Sequence, residues 1–236
     1  MIPCVAILSG GLATRLKPIT EKIPKAMVEI AGKPFVHWQL KLLKEKGFSN
    51  IVICAGHLGD QIKNYAGDGS EFGLTVDYSF DGAVLLGTGG AIRKALPLLG
   101  DKFGIMYGDS YLNIDFEPIF RYFNTNNKKG LMTVIKNDNQ WDKSNVIYHD
   151  GSVVKYDKKN ITDEMRYIDY GFAILKKDSF ADIEGSRVID LADVYKDLVD
   201  SHEMLGYEVY ERFYEIGSLK GMEETERYIK NKYHIE

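Results

Sequence analysis

Cysteine, histidine and proline are scarce in this chain of 236 residues, with two, five and six copies. Cys4 and Cys54 lie inside apolar runs of strand character and lack the CxxC spacing of zinc or redox sites, so both are expected to be buried, reduced thiols. No two histidines stand at metal-ligand spacing, which disfavours a zinc enzyme. No apolar run approaches the roughly 20 residues a membrane helix needs, and no basic-then-apolar leader opens the chain. A cytoplasmic location without a membrane partner is expected. Positive charge is not in excess either: 30 Lys and Arg stand against 34 Asp and Glu, a formal net charge of -4. That balance argues against a binder of phosphate backbones, so no nucleic-acid partner is expected. Linkers rich in Pro or Ser, internal repeats and low-complexity tracts are missing, as is the six-residue repeat of a β-helix. With 44% hydrophobic and 27% charged residues, the composition is that of a single globular unit spanning residues 1–236.

The first half alternates short apolar runs with amphipathic segments. Ile2 to Ser9, NIVICAG, LTVDYS and FGIMYGD read as strands, while PFVHWQLKLLKEKGF, the segment around Asp60 to Tyr65 and Thr88 to about Leu98 read as helices. Apolar strands alternating with helices imply a mostly parallel sheet covered on both faces, a doubly wound, Rossmann-like α/β core. After Gly130 the texture changes. LMTVIK, SNVIYHD, SVVKYD and YIDYGFAIL are strand-like, with an HDGS turn between the second and third, and imply an added antiparallel lobe on the substrate side. DLADVYKDLVDSH, GYEVYE and GSLKGMEETERYIKNKY then return to helix, strand and helix, which places the YEIGS junction in the core. Two halves are thus expected, one over about residues 1–125 and the other over about 126–236.

Gly10-Gly11 follows the first apolar strand, at the carboxyl end of the sheet, where a doubly wound fold places its ligand. Glycines there allow backbone N–H groups to approach phosphate, although a plain tight turn needs the same pair. Arg15 adds a planar fork for phosphate oxygens, and Lys25, stiffened by Pro24, adds a point charge. Neither the P-loop pattern, GxxxxGK followed by Ser or Thr, nor GxGxxG is present. An Asp ending a strand, such as Asp109, can also cap the next helix.

GGLATRLKPITEKIPKAM resembles the motif of the sugar-1-phosphate nucleotidyltransferases, whose glycine-rich loop, arginine and Pro-Lys lysine hold a nucleoside triphosphate. LLGTGGAIRKAL resembles that family's segment beside the nucleobase, YGDS its magnesium-binding GD motif, and YEIGSLKGMEET the DxG segment closing its catalytic core. Four ordered motifs thus cover residues 2 to about 230. The resemblance implies nucleotide binding by Leu8, Gly10, Gly11, Thr14, Arg15, Lys25, Asp81, Gly87 and Thr88. It implies catalysis by Arg15, Lys25 and Asp109, and magnesium held by Asp109 and Glu215. Ala13 replaces the usual third glycine, and Asp81 best matches the residue that the family places before the GT segment, across a loop one residue longer. Where the family carries an EK pair, this chain reads YDKKN, so Lys158 or Lys159 takes the acceptor phosphate. Asp169 and Gly171 replace an NxG sequence near the sugar.

Chemistry supports the same reading. Joining a phosphate monoester to the α-phosphorus of a nucleoside triphosphate gathers many negative oxygens, so the site must neutralise and align them. A monoester dianion is already nucleophilic at neutral pH, and no Ser-His-Asp or Cys-His arrangement is needed. The expected partners are a nucleoside triphosphate and a sugar 1-phosphate or similar phosphorylated acceptor, and a homo-oligomer is compatible with the sequence. The alternatives are a cytidylyltransferase for a non-sugar phosphorylated acceptor and a non-catalytic nucleotide-sugar sensor. The aromatics of EVYERFYEIG, with Tyr195 and Tyr228, are expected to serve packing, whereas Trp141 lies on a loop suited to capping an acceptor.

Overall fold

The computed structural model describes residues 3–12, 16, 18–181 and 188–235. Strand β1 (Val5–Ser9) lies in the middle of the parallel half. Its Val5, Ala6 and Ile7 are all buried although they point to alternate faces, the pattern of a sheet covered on both sides. A short hairpin of β2 (Glu29–Ile30) and β3 (Lys33–Pro34) leads into α1 (Phe35–Glu45). Next come β4 (Asn50–Ala55), α2 (Gly59–Ala66), β5 (Thr75–Phe80), α3 (Gly87–Ala95) and β6 (Lys102–Tyr107). These strands form the parallel order β5-β4-β1-β6, so the expected doubly wound core is present.

The second half begins with β7 (Ser110–Tyr111), α4 (Phe116–Thr125), β8 (Gly130–Lys136), β9 (Val146–His149) and β10 (Ser152–Tyr156). It continues with β11 (Tyr167–Lys176), α5 (Leu191–Asp200), β12 (Met204–Glu208), β13 (Tyr214–Glu215) and α6 (Leu219–Tyr233). The added strands extend the same sheet rather than forming a separate one, giving nine strands in the order β5-β4-β1-β6-β11-β8-β12-β10-β9. β11 runs antiparallel to both β6 and β8, while β12 is parallel to β8. Val146 of β9 also pairs with Tyr167 of β11, so the last five strands curl back on themselves. Helix α4 is absent from the sequence-based expectations, although Phe116, Ile119, Phe120 and Phe123 recur at helical spacing and are all buried.

Strand alternation divides the core between the two faces. Val5, Ile7, Ile51, Ile53 and Met106 pack with α1, α2 and α4. Ala6, Val52, Cys54 and Ile105 pack with α3 and α5. Both thiols are free, and burial raises the Cys4 thiol to about 11 and the Cys54 thiol further. A third cluster joins Trp38 of α1, Tyr111 of β7, Ile216 and Ile229 of α6. Burying a side chain of this size stabilises by roughly 1.5–3 kcal/mol, so this cluster fixes the start of α6 beside β7. No described helix is long and apolar enough to cross a membrane.

Candidate active site

Two clefts open along the carboxyl edge of the parallel strands. The first, of about 230 Å³, runs from Leu8, Gly10 and Gly11 past Asp81 to Gly87 and Thr88. The second, of about 760 Å³, lies over the antiparallel strands and includes Trp141, Lys158, Asp169 and Gly171. Tyr107, at the end of β6, and Asp109, in the turn to β7, line both. Reacting groups bound in the two clefts would therefore meet at this turn.

Three charged residues converge there. Lys25 Nζ donates to Asp109 Oδ2 at 2.9 Å. Pairing of β13 with β7 sets Glu215 opposite Ser110, and the Ile216 N–H donates to the Asp109 carbonyl at 3.0 Å. Gly217 marks the space between them: a Cβ there would lie 2.8 Å from Glu215 Oε2 and 3.6 Å from both Asp109 Oδ2 and Lys25 Nζ. Glu215 accepts the Gly217 N–H and, at 2.7 Å, the Ser218 hydroxyl. Ser218 in turn accepts from the Gly221 N–H at 2.9 Å and caps α6. The carboxylates of Asp109 and Glu215 thus face one small cradle that only glycine leaves open. Two carboxylates sharing a space repel each other unless a cation lies between them, and oxygen ligands suit magnesium. This donor set and its cradle are compatible with a divalent cation.

The glycine-rich segment before and within α3 answers to packing as well as to ligand. The Gly89 and Gly90 N–H groups donate to the Ile189 carbonyl at 2.9 and 3.2 Å. A Cβ on Gly89 would sit 2.8 Å from the Ile189 side chain. Thr88 Oγ1 donates to Asp190 at 3.0 Å and accepts from the Leu191 N–H at 2.8 Å, so its hydroxyl also holds the start of α5. Asp81 Oδ2 accepts the Leu86 N–H at 3.2 Å. Burial raises the Asp81 carboxyl above the usual range, against the opposing pulls of that N–H and of Lys94. Gly11, by contrast, has none of the described residues within 4 Å of a Cβ position.

In the second cleft, β11 bulges between Asp169, opposite Val134, and Ala173, opposite Met132. Four steps along β11 oppose two along β8, and Gly171 takes φ +102 within the irregularity. The Asp169 carboxylate accepts the Gly171 N–H at 3.0 Å and lies 3.7 Å from Lys158 Nζ. Lys158 also approaches the Tyr107 hydroxyl at 3.4 Å. Burial, then the Asp169 charge, pushes the Tyr107 phenol well above its ordinary value. Asp157 organises the turn by accepting the Lys159 and Asn160 N–H groups at 2.7 and 2.8 Å. Of the two candidate lysines, Lys158 lines the cleft and Lys159 does not. Phe213 and Tyr214 line it too while packing against the core, Phe213 on Tyr170 and Tyr214 stacked on Tyr228. Arg212 lies over the Tyr214 ring at 5.1 Å and near Trp141 at 5.9 Å, held by an ion pair with Glu224.

The sequence model described as nucleotidyl transferase matches residues 5–230. The chain belongs to this family. An N-acetylmuramate alpha-1-phosphate uridylyltransferase from Neisseria meningitidis is 43% identical over 116 residues, 49% of this chain and 50% of that relative. The chain therefore spans about half the length of that relative in the match. A D-glycero-alpha-D-manno-heptose 1-phosphate guanylyltransferase from Campylobacter jejuni is 31% identical over 179 residues, 75% of this chain and 77% of its own. The crystal structure of HddC from Yersinia pseudotuberculosis complexed with GMP-PN superposes with a TM-score of 0.81 at 25% identity, covering 97% of this chain and all of that one. Among the residues expected from the nucleotidyltransferase resemblance, Thr14 and Arg15 lie outside the described residues. Sequence reasoning gave no role to Tyr107, although it opens the YGDS motif, or to Arg212, which lies within the aromatic stretch it read as packing.

Proposed function

We propose that this chain is a magnesium-dependent nucleotidyltransferase that joins a sugar 1-phosphate to a nucleoside triphosphate, forming an NDP-sugar and pyrophosphate. The observation that carries the reading is the meeting of two clefts at Asp109, with Lys25 and Glu215 beside it. In the first cleft the backbone at Gly11 receives the triphosphate, Leu8 and Thr88 border the nucleoside, and Lys25 and Arg15 neutralise the phosphates. In the second cleft Lys158 places the acceptor phosphate and Asp169 accepts hydrogen bonds from sugar hydroxyls.

A non-bridging oxygen of the acceptor phosphate attacks the α-phosphorus, the new P–O bond forms, and the α–β bridging oxygen departs with pyrophosphate. No proton transfer is required to generate the nucleophile. Lys25 releases Asp109 and follows the negative charge that grows on the leaving pyrophosphate. Asp109 and Glu215 would hold a magnesium ion, whose positive charge would offset the negative charge of the phosphate oxygens. Tyr107, kept protonated by burial, lies 3.4 Å from Lys158 and 3.5 Å from Asp169 and so braces the direct approach of those two groups. We place the reaction in the cytoplasm, where nucleoside triphosphates are supplied.

Pyrophosphate release over a grid of nucleoside triphosphates and sugar 1-phosphates tests the proposal. Release is expected from at least one pairing, with magnesium and both substrates required. Nucleotide binding without turnover of any phosphorylated acceptor would overturn it in favour of a sensor, and turnover confined to non-sugar phosphates would move the acceptor class.

A further inference from the structure

Gln39 is completely buried in α1, among apolar neighbours. Its Nε2 donates to two carbonyls, that of Tyr107 at 3.1 Å and that of Ser110 at 2.9 Å. Its Oε1 has no partner among the described residues. The reverse amide orientation would set oxygen against both carbonyls, so hydrogen bonding fixes which end faces them. A half-satisfied buried amide packs less favourably than a methionine or leucine of similar size. The value of Gln39 must therefore lie in what its donors hold.

What they hold is the turn that carries Asp109, gripped on both sides: Tyr107 ends β6 and Ser110 starts β7. Two further bonds complete the grip, from the Gly108 N–H to the Leu8 carbonyl at 2.9 Å and from the Ile216 N–H to the Asp109 carbonyl at 3.0 Å. The backbone of this turn is thus tied to α1, to β1 and to the residue after β13. Only the α1 tie is made by a side chain, so it alone can be removed by substitution without rewriting the backbone.

We propose that Gln39 is a positioning residue for Asp109, a clamp that aims the carboxylate at the junction of the two clefts and so sets the affinity of the site for a divalent cation. The inference rests on the reading of Asp109 and Glu215 as the magnesium-binding pair. Without the clamp the turn keeps its place in the sheet, but its carboxylate samples directions that do not converge with Glu215.

Mn²⁺ titration of the whole chain, followed by the electron paramagnetic resonance signal of the free ion, tests the clamp without any turnover. Wild type is expected to bind Mn²⁺ at a site abolished by Asp109→Ala. Gln39→Met, at an unchanged far-UV circular dichroism spectrum, should weaken that binding by about 10- to 100-fold, the usual cost of losing a partner behind a metal ligand. Hydrogen exchange at the Gly108 and Ile216 amides should also accelerate. If Gln39→Met does not fold, Gln39→Leu removes both donors without adding a charge and carries the same comparison. Wild-type Mn²⁺ affinity in the folded variant overturns the clamp and leaves the reading of the metal pair standing. Absence of Asp109-dependent Mn²⁺ binding in the wild type overturns both.

Discussion

Replacing Gly217 by alanine probes the centre of the site without removing a charge or a hydrogen-bonding side chain. The added methyl would sit 2.8 Å from Glu215 Oε2, whereas ordinary contact begins at 3.4 Å, so the carboxylate must retreat by about 0.6 Å. Asp109 Oδ2 and Lys25 Nζ, each 3.6 Å away, need not move. The perturbation is therefore directed at one ligand of the proposed metal pair. A misplacement of about 1 Å commonly costs about 10²-fold in rate, and a displacement of roughly half that size should lower kcat/KM by about 10-fold or more. Stability should change little, because alanine restricts the unfolded chain and recovers about 0.4–1 kcal/mol where its backbone angles are allowed. Even a net 1 kcal/mol moves Tm by only about 2–4 °C in a chain of this size. Pyrophosphate release against magnesium concentration, beside melting curves, makes the measurement. Gly100→Ala serves as control, since among the described residues its added methyl has no neighbour nearer than the Lys102 carbonyl at 3.8 Å. Wild-type turnover and metal dependence in Gly217→Ala would refute the placement of Glu215 at the reacting centre.

Lys25→Ala and Arg15→Ala should each lower turnover by about 10²-fold or more with the fold retained, as expected for lost transition-state charge contacts; single-turnover rates with circular dichroism check this. Lys158→Ala should raise the acceptor KM about 10-fold or more while leaving the nucleotide KM near wild type, and Lys159→Ala should change neither, because only Lys158 lines the second cleft. Separate titration of the two substrates decides between them. Asp81→Asn should raise Tm at neutral pH, since burial lifts the folded-state carboxyl above its unfolded value. A group raised in this way favours folding below its unfolded value, about 3.9, and loses that contribution as pH rises through the folded value. The advantage of the asparagine should therefore shrink as pH falls toward 4, which melting curves at several pH values would show.

The parallel half of the fold was legible because strands buried on both faces leave apolar runs such as VAIL and IVICA, and because the glycine pair marks the carboxyl end of the first. Helix α4 was lost among neighbouring strand signals even though its four buried residues keep helical spacing. The nearness of Glu215 to Asp109 could not come from periodicity, since the strands that join them contain two residues each. Family resemblance carried that pairing instead. The choice between Lys158 and Lys159 depends on a turn whose direction is set by the Asp157 carboxylate, a local hydrogen-bond pattern that composition does not record. Gln39 did leave a trace: a glutamine flanked by Trp38 and Leu40 on the apolar side of an amphipathic helix is the kind of buried polar residue that asks for a partner.

Strand order explains why one turn serves both clefts. β6 is the last strand of the parallel set, and its other neighbour, β11, runs the opposite way. A ligand held beyond the ends of β1, β4 and β5 therefore approaches the end of β6 from one side. A ligand held over the bulged part of β11 approaches it from the other. Crevices outside the carboxyl ends of strands form where the connectivity of a sheet changes, and the turn after β6 occupies that boundary. Asp109 stands at the single strand end common to both, which is why β7, β13 and Gln39 all converge on fixing its backbone.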